Sequence, residues 1–338
     1  MPSSCGRCSR IASGAHGGGA RKQGGVSVAT GYPHADESTA GKAVGMMALP
    51  LVVGVDGSES SLDALDWAVD EAARHELPLH LVNASRWERY EGRLPSFGTD
   101  RPTGDVAAEN IVAACAERAT LRNPEVKVSA EVLAEDTVMA LLEQSREAFA
   151  VVTGSRGRSA IAETLLGSVS LAVAARAVSP VVVVRGGEKN RAGALRRVVL
   201  AVGDLGEGSA AVRFAFREAR ARDAALHAVR SWRRPAHPRA GQSPLEREAS
   251  SLIYEEQAAG VLSEVLDHVE RGHDDITVHR EVIEGPAHQV LLDVSEQADL
   301  LVVGALRRRD HTGLELGRVS HAVLHRSACP VVIVPQRV

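Results

Sequence analysis

Short runs of consecutive apolar residues alternate along the chain with longer segments in which apolar positions recur every three or four residues. The runs are rich in valine, which is typical of strands buried on both faces of a parallel sheet, and the longer segments have the period of amphipathic helices. This alternation predicts βαβ units and an α/β fold. In the first half of the chain, strands are predicted near residues 51–55, 79–84, 126–133, 149–153 and 181–184.

The first predicted helix follows the first strand and has apolar residues at positions 62, 65, 68, 69 and 72. We take Ser60 as its N-cap, because Asp63 three residues later completes an approximate capping box. A second helix is predicted at about 106–120. Residues 86–105, and an equivalent stretch near 233–244, lack periodicity and are predicted to be loops.

The pattern occurs twice. Three residues of the first half recur 150 positions later: Gly154, Gly167 and Ser170 correspond to Gly304, Gly317 and Ser320. Nearer the start of each half the shift is 147 positions, pairing Leu79-His80 with Leu226-His227. Such a repeat indicates tandem duplication of one domain. We expect one domain at 48–186, a second at 197–338 and a linker at 187–196.

Residues 1–46 differ from both repeats, since they hold ten of the 31 glycines and show no helical or strand period. Such a segment cannot bury enough apolar surface to offset its ordering entropy, so a disordered tail is predicted. The first strand begins directly after Met46-Met47 and the short segment that follows. Our hypothesis is that native translation starts at one of these methionines and that the tail is an upstream extension.

The composition narrows the class of function. A chain of 338 residues with 44% hydrophobic and 24% charged residues is long enough for two packed domains. The net charge of −4 and the 3% aromatic content argue against nucleic acid as a partner. No apolar run has the length of a membrane span, and no signal peptide is recognised, so we expect a cytoplasmic protein without membrane contact.

The fourth predicted strand is followed by the pattern G-x2-G-x9-G-S, formed by Gly154, Gly157, Gly167 and Ser168. Glycines let the backbone approach a bound group closely, and the amides that open the next helix favour an anion. The Ser168 hydroxyl can add a phosphate contact. Glycines after a strand are also common in plain turns, but here spacing, strand context and the Gly-Ser helix start coincide. We therefore favour nucleotide binding.

The first strand carries a second set of candidate residues. Gly54 leaves room for a flat ring or a sugar, and Asp56 can accept hydrogen bonds from ribose hydroxyls or approach a metal. Asp56 could equally cap the loop that follows it. Strands 1 and 4 are expected to be neighbours at the switch point of a doubly wound sheet, where ligands bind. Together the two sets outline a nucleotide pocket.

With the stretch Val53-Gly54-Val55-Asp56-Gly57-Ser58 and the loop from Gly154 to Ser170, the chain resembles tandem universal stress proteins over about residues 48–338. The resemblance implies two tandem doubly wound five-stranded parallel sheets, each of strand order 3-2-1-4-5. It also implies a bound adenine nucleotide, ATP, with magnesium left open. The implied partner is a second copy of the tandem chain, in a homodimer, and the two halves of such chains pair through their last strands.

The resemblance also implies roles for individual residues. Around adenosine it places Gly54, Asp56 and Ala84. At the phosphates it places Gly154, Gly157, Gly167 and Ser168, with Ser170 closing the loop.

The second half departs from this pattern. Gly203 stands at the position of Asp56, with Asp204 displaced by one, Arg307 replaces Gly157 and Arg318 replaces Ser168. Because an arginine fills space that a phosphate needs, we expect one good site and one poor site. The leading interpretation is an ATP-binding stress-response regulator. A slow ATPase or other adenine-nucleotide hydrolase, and a nucleotide-independent scaffold, remain as alternatives.

No catalytic residue or metal ligand is assigned. His321, His325 and Cys329 have ligand-like helical spacing, but no carboxylate accompanies them and the helix packs with the same period. Cys5 and Cys8 form a Cys-x-x-Cys motif in the tail, with no second pair of cysteines to accompany it. Cys115 and Cys329 stand alone in apolar surroundings, which fits a reducing compartment.

Overall fold

The computed structural model describes residues 48–84, 103–157, 166–203, 210–234, 244–307 and 316–337. The strands of the first half are β1 (Leu51–Gly54), β2 (Leu79–Ala84), β3 (Val128–Leu133), β4 (Ala150–Gly154) and β5 (Val181–Val184). Its helices are α1 (Glu59–Arg74), α2 (Thr103–Arg122), α3 (Thr137–Gln144) and α4 (Ser168–Arg176), with a 3-10 turn at Ser145–Glu147. A one-turn helix, α5 (Glu188–Arg191), leads into the second half.

The second half repeats this order. Its strands are β6 (Arg197–Ala201), β7 (Ala225–Trp232), β8 (Val278–Glu284), β9 (Leu300–Arg307) and β10 (Val331–Arg337). Its helices are α6 (Ala210–Ala221), α7 (Pro244–Glu270), α8 (Ala287–Ser295) and α9 (Arg318–Arg326). In the first half, the bounds of β1 to β5 agree with the five predicted strands to within about two residues, so those strands are confirmed.

All ten strands form one sheet, in the order β3-β2-β1-β4-β5-β10-β9-β6-β7-β8. Each half has the predicted order 3-2-1-4-5, with parallel pairing throughout. The halves join through β5 and β10, which pair antiparallel with Val181 opposite Ile333 and Val183 opposite Val331. Two five-stranded sheets thus become a single ten-stranded sheet.

The sheet is buried on both faces, which explains the uninterrupted apolar runs in the sequence. Leu51 and Val53 belong to a core formed with α1, α2, α6 and α7. Val52, between them, points to the opposite face, where α3, α4, α8 and α9 pack. Each core continues across both halves. The helices therefore cover the sheet in the doubly wound manner that the alternating pattern predicts.

One local prediction is wrong. The N-cap of α1 is Ser58 and not Ser60, because Ser58 has extended backbone and its Oγ accepts a hydrogen bond from Ser61 N–H at 3.3 Å. The predicted linker includes α5, whose Asn190 is buried and donates through Nδ2 to Ala298 O at 2.8 Å in the second half. The linker is thus packed against the domain that follows it.

Several sequence predictions lie outside the described residues. They concern the tail with its cysteine pair, the proposed start at Met46 or Met47, and most of the two predicted loops. In the predicted loop at 86–105, the described residues are the last three, which already belong to α2 from Thr103. In the predicted loop near 233–244, the described residues are 233, 234 and the first residue of α7, Pro244. No helix in the described part of the chain is long and apolar enough to cross a membrane.

Candidate functional site

A cavity of about 370 Å³ opens at the carboxyl ends of β1, β2 and β4. All eight residues that the sequence pointed to line it: Gly54, Asp56, Ala84, Gly154, Gly157, Gly167, Ser168 and Ser170. Strands β1 and β4 are neighbours, with Val52 opposite Val151, so the cavity lies at the predicted switch point. Its volume is within the usual range for small-molecule sites.

The turn after β1 holds the Asp56 carboxylate. Ser58 donates to Asp56 Oδ1 twice, from its N–H at 2.9 Å and from its Oγ at 2.6 Å. The other oxygen, Oδ2, would lie 3.2 Å from a Cβ placed on Gly157. Asp56 therefore caps its own loop with one oxygen, while the other lies against the backbone of the loop from Gly154 to Ser170, here called the glycine loop, and Asp56 also lines the cavity.

The start of the glycine loop is packed directly on α1. Ser60 Oγ accepts a hydrogen bond from Arg156 N–H at 3.1 Å and lies 3.5 Å from Ser155 Oγ. A Cβ on Gly154 would come within 2.5 Å of the Ser60 carbonyl oxygen, a distance that real Cβ atoms do not show. Gly154 is thus required by the close approach of α1.

The end of the loop is fixed where α4 begins. Gly167 N–H donates to Ser155 O at 2.9 Å, and the buried Ser170 donates from Oγ to Gly154 O at 2.6 Å. Gly167 is the N-cap of α4 and offers no side chain to accept from the first amides of the helix. These amides and the positive end of the helix dipole face a cavity that Arg156 also lines. This end of the cavity is suited to an anion.

The other end of the cavity is shaped by α3. Leu141 fills part of the space beside Gly54, since a Cβ there would lie 3.2 Å from Leu141 Cδ1. Thr137 donates from Oγ1 to Ala84 O at 2.7 Å and so fixes the end of β2. Sequence reasoning missed Thr137, Leu141 and the role of Ser60. Asp136, which caps α3 by accepting from Val138 N–H, is the sequence signal that could have located Thr137.

The second half differs at the corresponding place. Strand β4 ends at Gly154, but β9 continues three residues past Gly304 and pairs with β10 as far as Arg307 opposite Arg337. The residues that correspond to the start of the glycine loop are therefore part of the sheet. A cavity of about 630 Å³ remains here, lined by Gly203 and Gly304 among others. Arg318 opens α9 and lines a neighbouring cavity of about 530 Å³. Asp204 lies outside the described residues.

The two described cysteines, Cys115 and Cys329, are free and buried. Burial raises the pKa of the Cys115 thiol to about 11 and that of Cys329 to about 12, so both remain protonated.

His321 stacks on His325, with ring centroids 4.3 Å apart. Within the described residues, Glu71, His75 and Glu218 are the group that could hold a metal ion, which does not include Cys329.

That group lies where the two halves meet. His75 Nε2 is 3.5 Å from Glu71 Oε1, on the same half, and 3.2 Å from Glu218 Oε1 on α6. Arg222 also reaches across, donating from Nη1 to Glu71 Oε2 at 2.7 Å. His75, Arg222 and Arg74, whose Nη1 lies 3.0 Å from Glu71 Oε2, bring positive charge to the two carboxylates, so their charge is compensated by side chains of the protein. The cluster is an ionic connection between the domains.

The cluster shifts the pKa of its members. Burial alone would lower the pKa of His75, but the carboxylates of Glu218 and Glu71 beside its Nε2 raise it to about 9. Burial, with the nearby charge of Glu71, raises the pKa of Glu218 to about 7. Burial would raise the pKa of Glu71 as well, but Arg222 holds it well below its usual range.

Two doubly wound α/β domains, joined edge to edge and carrying a glycine-walled cavity at the switch point of the first, define a class of tandem α/β proteins. The sequence model of one protein family, the universal stress protein family (Usp), matches this chain twice, at residues 47–185 and 194–335. The chain therefore belongs to the universal stress protein family. This confirms the resemblance seen in the sequence.

Individual members of the family are similar to this chain in sequence or in structure. A universal stress protein of Mycobacterium tuberculosis (strain H37Rv) is 33% identical over 297 residues, which cover 85% of this chain and 97% of the relative. The crystal structure of a universal stress protein from Archaeoglobus fulgidus covers 85% of this chain and 98% of its own, with 18% identity and a TM-score of 0.57. A shorter universal stress protein, solved in complex with cAMP, covers 41% of this chain and 98% of its own, with 30% identity and a TM-score of 0.32.

Proposed function

We propose that the first domain binds an adenine nucleotide, ATP, and that its occupancy regulates a stress response by biasing the conformation or the partner affinity of the chain. The observation that carries the proposal is the convergence of all eight sequence-predicted residues on one cavity at the ends of β1, β2 and β4. These residues come from three separate segments of the sequence, 54–56, 84 and 154–170, and a plain turn after β4 would not require them to converge.

The two ends of the cavity support an orientation for the nucleotide. Its phosphates would lie at the start of α4, where the helix amides, the Ser168 hydroxyl and Arg156 offer donors and positive charge. The nucleoside would lie toward Gly54 and Ala84, between the apolar side chains of Leu141 and Val82. In this orientation the Asp56 carboxylate, which also lines the cavity, would accept hydrogen bonds from the ribose hydroxyls.

Magnesium is compatible with this arrangement. Asp56 is the one carboxylate among the described lining residues, and carboxylate oxygen is a ligand type that Mg²⁺ accepts. A bound ion would supply positive charge at the phosphates. Asp56 would then hold the ion beside the Gly157 backbone.

We propose that the second domain is a poor nucleotide site. Its strand β9 occupies the positions that form the start of the glycine loop in the first domain. These positions, 305–307, lie in register with residues 335–337 of β10 and are thus part of the sheet. One nucleotide per chain follows from this difference.

The test is to identify the ligand carried by the protein. Mass spectrometry of small molecules released on denaturing purified protein should detect an adenine nucleotide, and calorimetric titration of the nucleotide-free chain should show ATP binding. Gly157→Leu places a side chain against Asp56 and should abolish both signals. Nucleotide binding that is unchanged in Gly157→Leu would place the site elsewhere. Multiple-turnover ATP consumption that responds to Asp56 and Ser168 substitutions would favour a hydrolase.

A further inference from the structure

The glycine loop of the first domain is contacted by a side chain from the second. Leu166 N–H, directly before the Gly167-Ser168 helix start, donates to His325 Nδ1 at 3.3 Å. Leu166 is buried, with 8% of its surface exposed, so an amide left without an acceptor there would be costly. The helix α9 of the second domain thus supplies the hydrogen-bond acceptor for the Leu166 amide, near the end of the glycine loop.

Other contacts hold α9 in this place. Arg185, just after β5, donates from Nε to Ser327 O at 2.8 Å and from Nη1 to Leu324 O, at the carboxyl end of α9. Gly186 follows with a φ of +83°, and a Cβ on it would lie 1.9 Å from Ala328 O. The backbone of the first domain is therefore tightly packed against the end of α9, and His325 is held at a fixed distance from the loop.

The Leu166–His325 hydrogen bond has no counterpart from the first domain to the second. The domains are related by a shift of 150 positions, so the counterparts of Leu166 and His325 are Leu316 and Ala175. Ala175 has no side-chain acceptor, and the second domain cannot receive the reciprocal hydrogen bond. The domain with the intact glycine loop is thus the one that receives a hydrogen-bond acceptor from its neighbour.

We infer that His325 is a positioning residue for the nucleotide loop: by accepting from Leu166 N–H, the second domain orders the segment that presents the α4 amides to phosphate. This inference rests on the proposed function of the first domain. It gives the second domain a role in the site of the first, independent of any ligand of its own.

The tautomer makes the contact sensitive to protonation. Nδ1 accepts only while it carries no proton, so neutral His325 must hold its proton on Nε2. Burial, then the charges of His321 on the same helix and of Arg185 after β5, lower the pKa of His325 from 6.5. The hydrogen bond is therefore present at neutral pH and is lost in acid, below pH 6.5.

The test uses full-length protein and three variants. His325→Leu removes the acceptor, His325→Asn keeps an oxygen the same number of bonds from Cα as Nδ1, and Arg326→Ala changes an exposed neighbour on the same helix. Hydrogen-exchange protection of the Leu166 segment is measured without nucleotide, and ATP affinity is measured separately. For one lost hydrogen bond, both should fall roughly two- to tenfold in His325→Leu. Both should be restored in His325→Asn and be unchanged in Arg326→Ala.

A pH series adds a readout that packing alone would not move. Protection should fall with acidification in the wild type and not in His325→Asn, and ATP affinity should fall more in the wild type than in His325→Asn, since protonation of the terminal phosphate affects both proteins equally. Equal protection in the wild type and His325→Leu, or equal defects in His325→Leu and His325→Asn, would overturn the inference. If the wild type binds no ATP but His325→Leu still loses Leu166 protection, the positioning role stands and the proposed function fails.

Discussion

Gly154 and Ser60 are packed so closely that a Cβ on the glycine would lie 2.5 Å from the Ser60 carbonyl oxygen. The first turn of α1 thus touches the end of β4, and the glycine loop starts from this contact. Because the obstacle is backbone, it cannot be relieved by rotating a side chain.

Gly154→Ala should therefore destabilise the protein by about 1–3 kcal/mol, as overpacking does, and weaken ATP binding. Gly203→Ala is the control, since no described atom lies within 4 Å of a Cβ at that position. Chemical denaturation of both variants measures the effect. Similar stabilities for the two variants would show that the Gly154 contact relaxes at no cost.

Asp56→Asn separates the two roles of this residue. The amide oxygen can still accept from Ser58 N–H and Oγ, so the turn and the stability of the fold should be preserved. Loss of the charge should weaken ATP binding by roughly tenfold or more if Asp56 binds ribose or magnesium. Titrations with and without magnesium distinguish the two: a loss confined to the magnesium titration indicates a metal ligand, and an equal loss indicates ribose. Unchanged affinity in both would remove Asp56 from the site.

The cluster between the domains predicts a pH dependence of stability. The pKa of His75 is raised from 6.5 to about 9 in the folded state. Its contribution is therefore complete below pH 6.5 and is lost as pH rises to about 9, amounting to at most about 3 kcal/mol. The raised pKa of Glu218 acts in the same direction, from about 4.5 to about 7.

Unfolding free energies of the wild type and His75→Gln, measured between pH 6.5 and 9.5, test this contribution. The difference between them should shrink with rising pH, since glutamine does not titrate. Parallel profiles would show that folding does not raise the pKa of His75.

Arg222 compensates Glu71 across the same contact, and both side chains are almost fully buried, with 5% and 3% of their surface exposed. Arg222→Leu should destabilise the protein by up to about 3–5 kcal/mol, because it removes the buried guanidinium that pairs with Glu71 and leaves that carboxylate with His75 and the less buried Arg74. Arg220→Ala, which breaks an exposed pair with Asp275, should change stability little. Equal effects in thermal unfolding would contradict the buried role of Arg222.

The sheet and the first-domain cavity could be predicted because their signals are local. Valine runs mark strands buried on both faces, and Gly154, Gly157 and Gly167 mark the loop between β4 and α4. Contacts between distant segments carry no such signal. The Leu166–His325 hydrogen bond joins residues 159 positions apart, and the Glu71–Arg222 ion pair joins residues 151 apart. The N-cap prediction was wrong because both Ser58 and Ser60 suit an N-cap by residue type, and only the backbone conformation of Ser58 and its hydrogen bond from Ser61 N–H decide between them.

One nucleotide is expected to bind per chain, at the first domain. The most direct measurement is ATP stoichiometry by calorimetry for the wild type, Gly167→Leu and Gly317→Leu, since these glycines occupy the same N-cap position in the two domains. One site per chain is expected in the wild type and in Gly317→Leu, and none in Gly167→Leu. Binding that survives Gly167→Leu and disappears in Gly317→Leu would contradict the account.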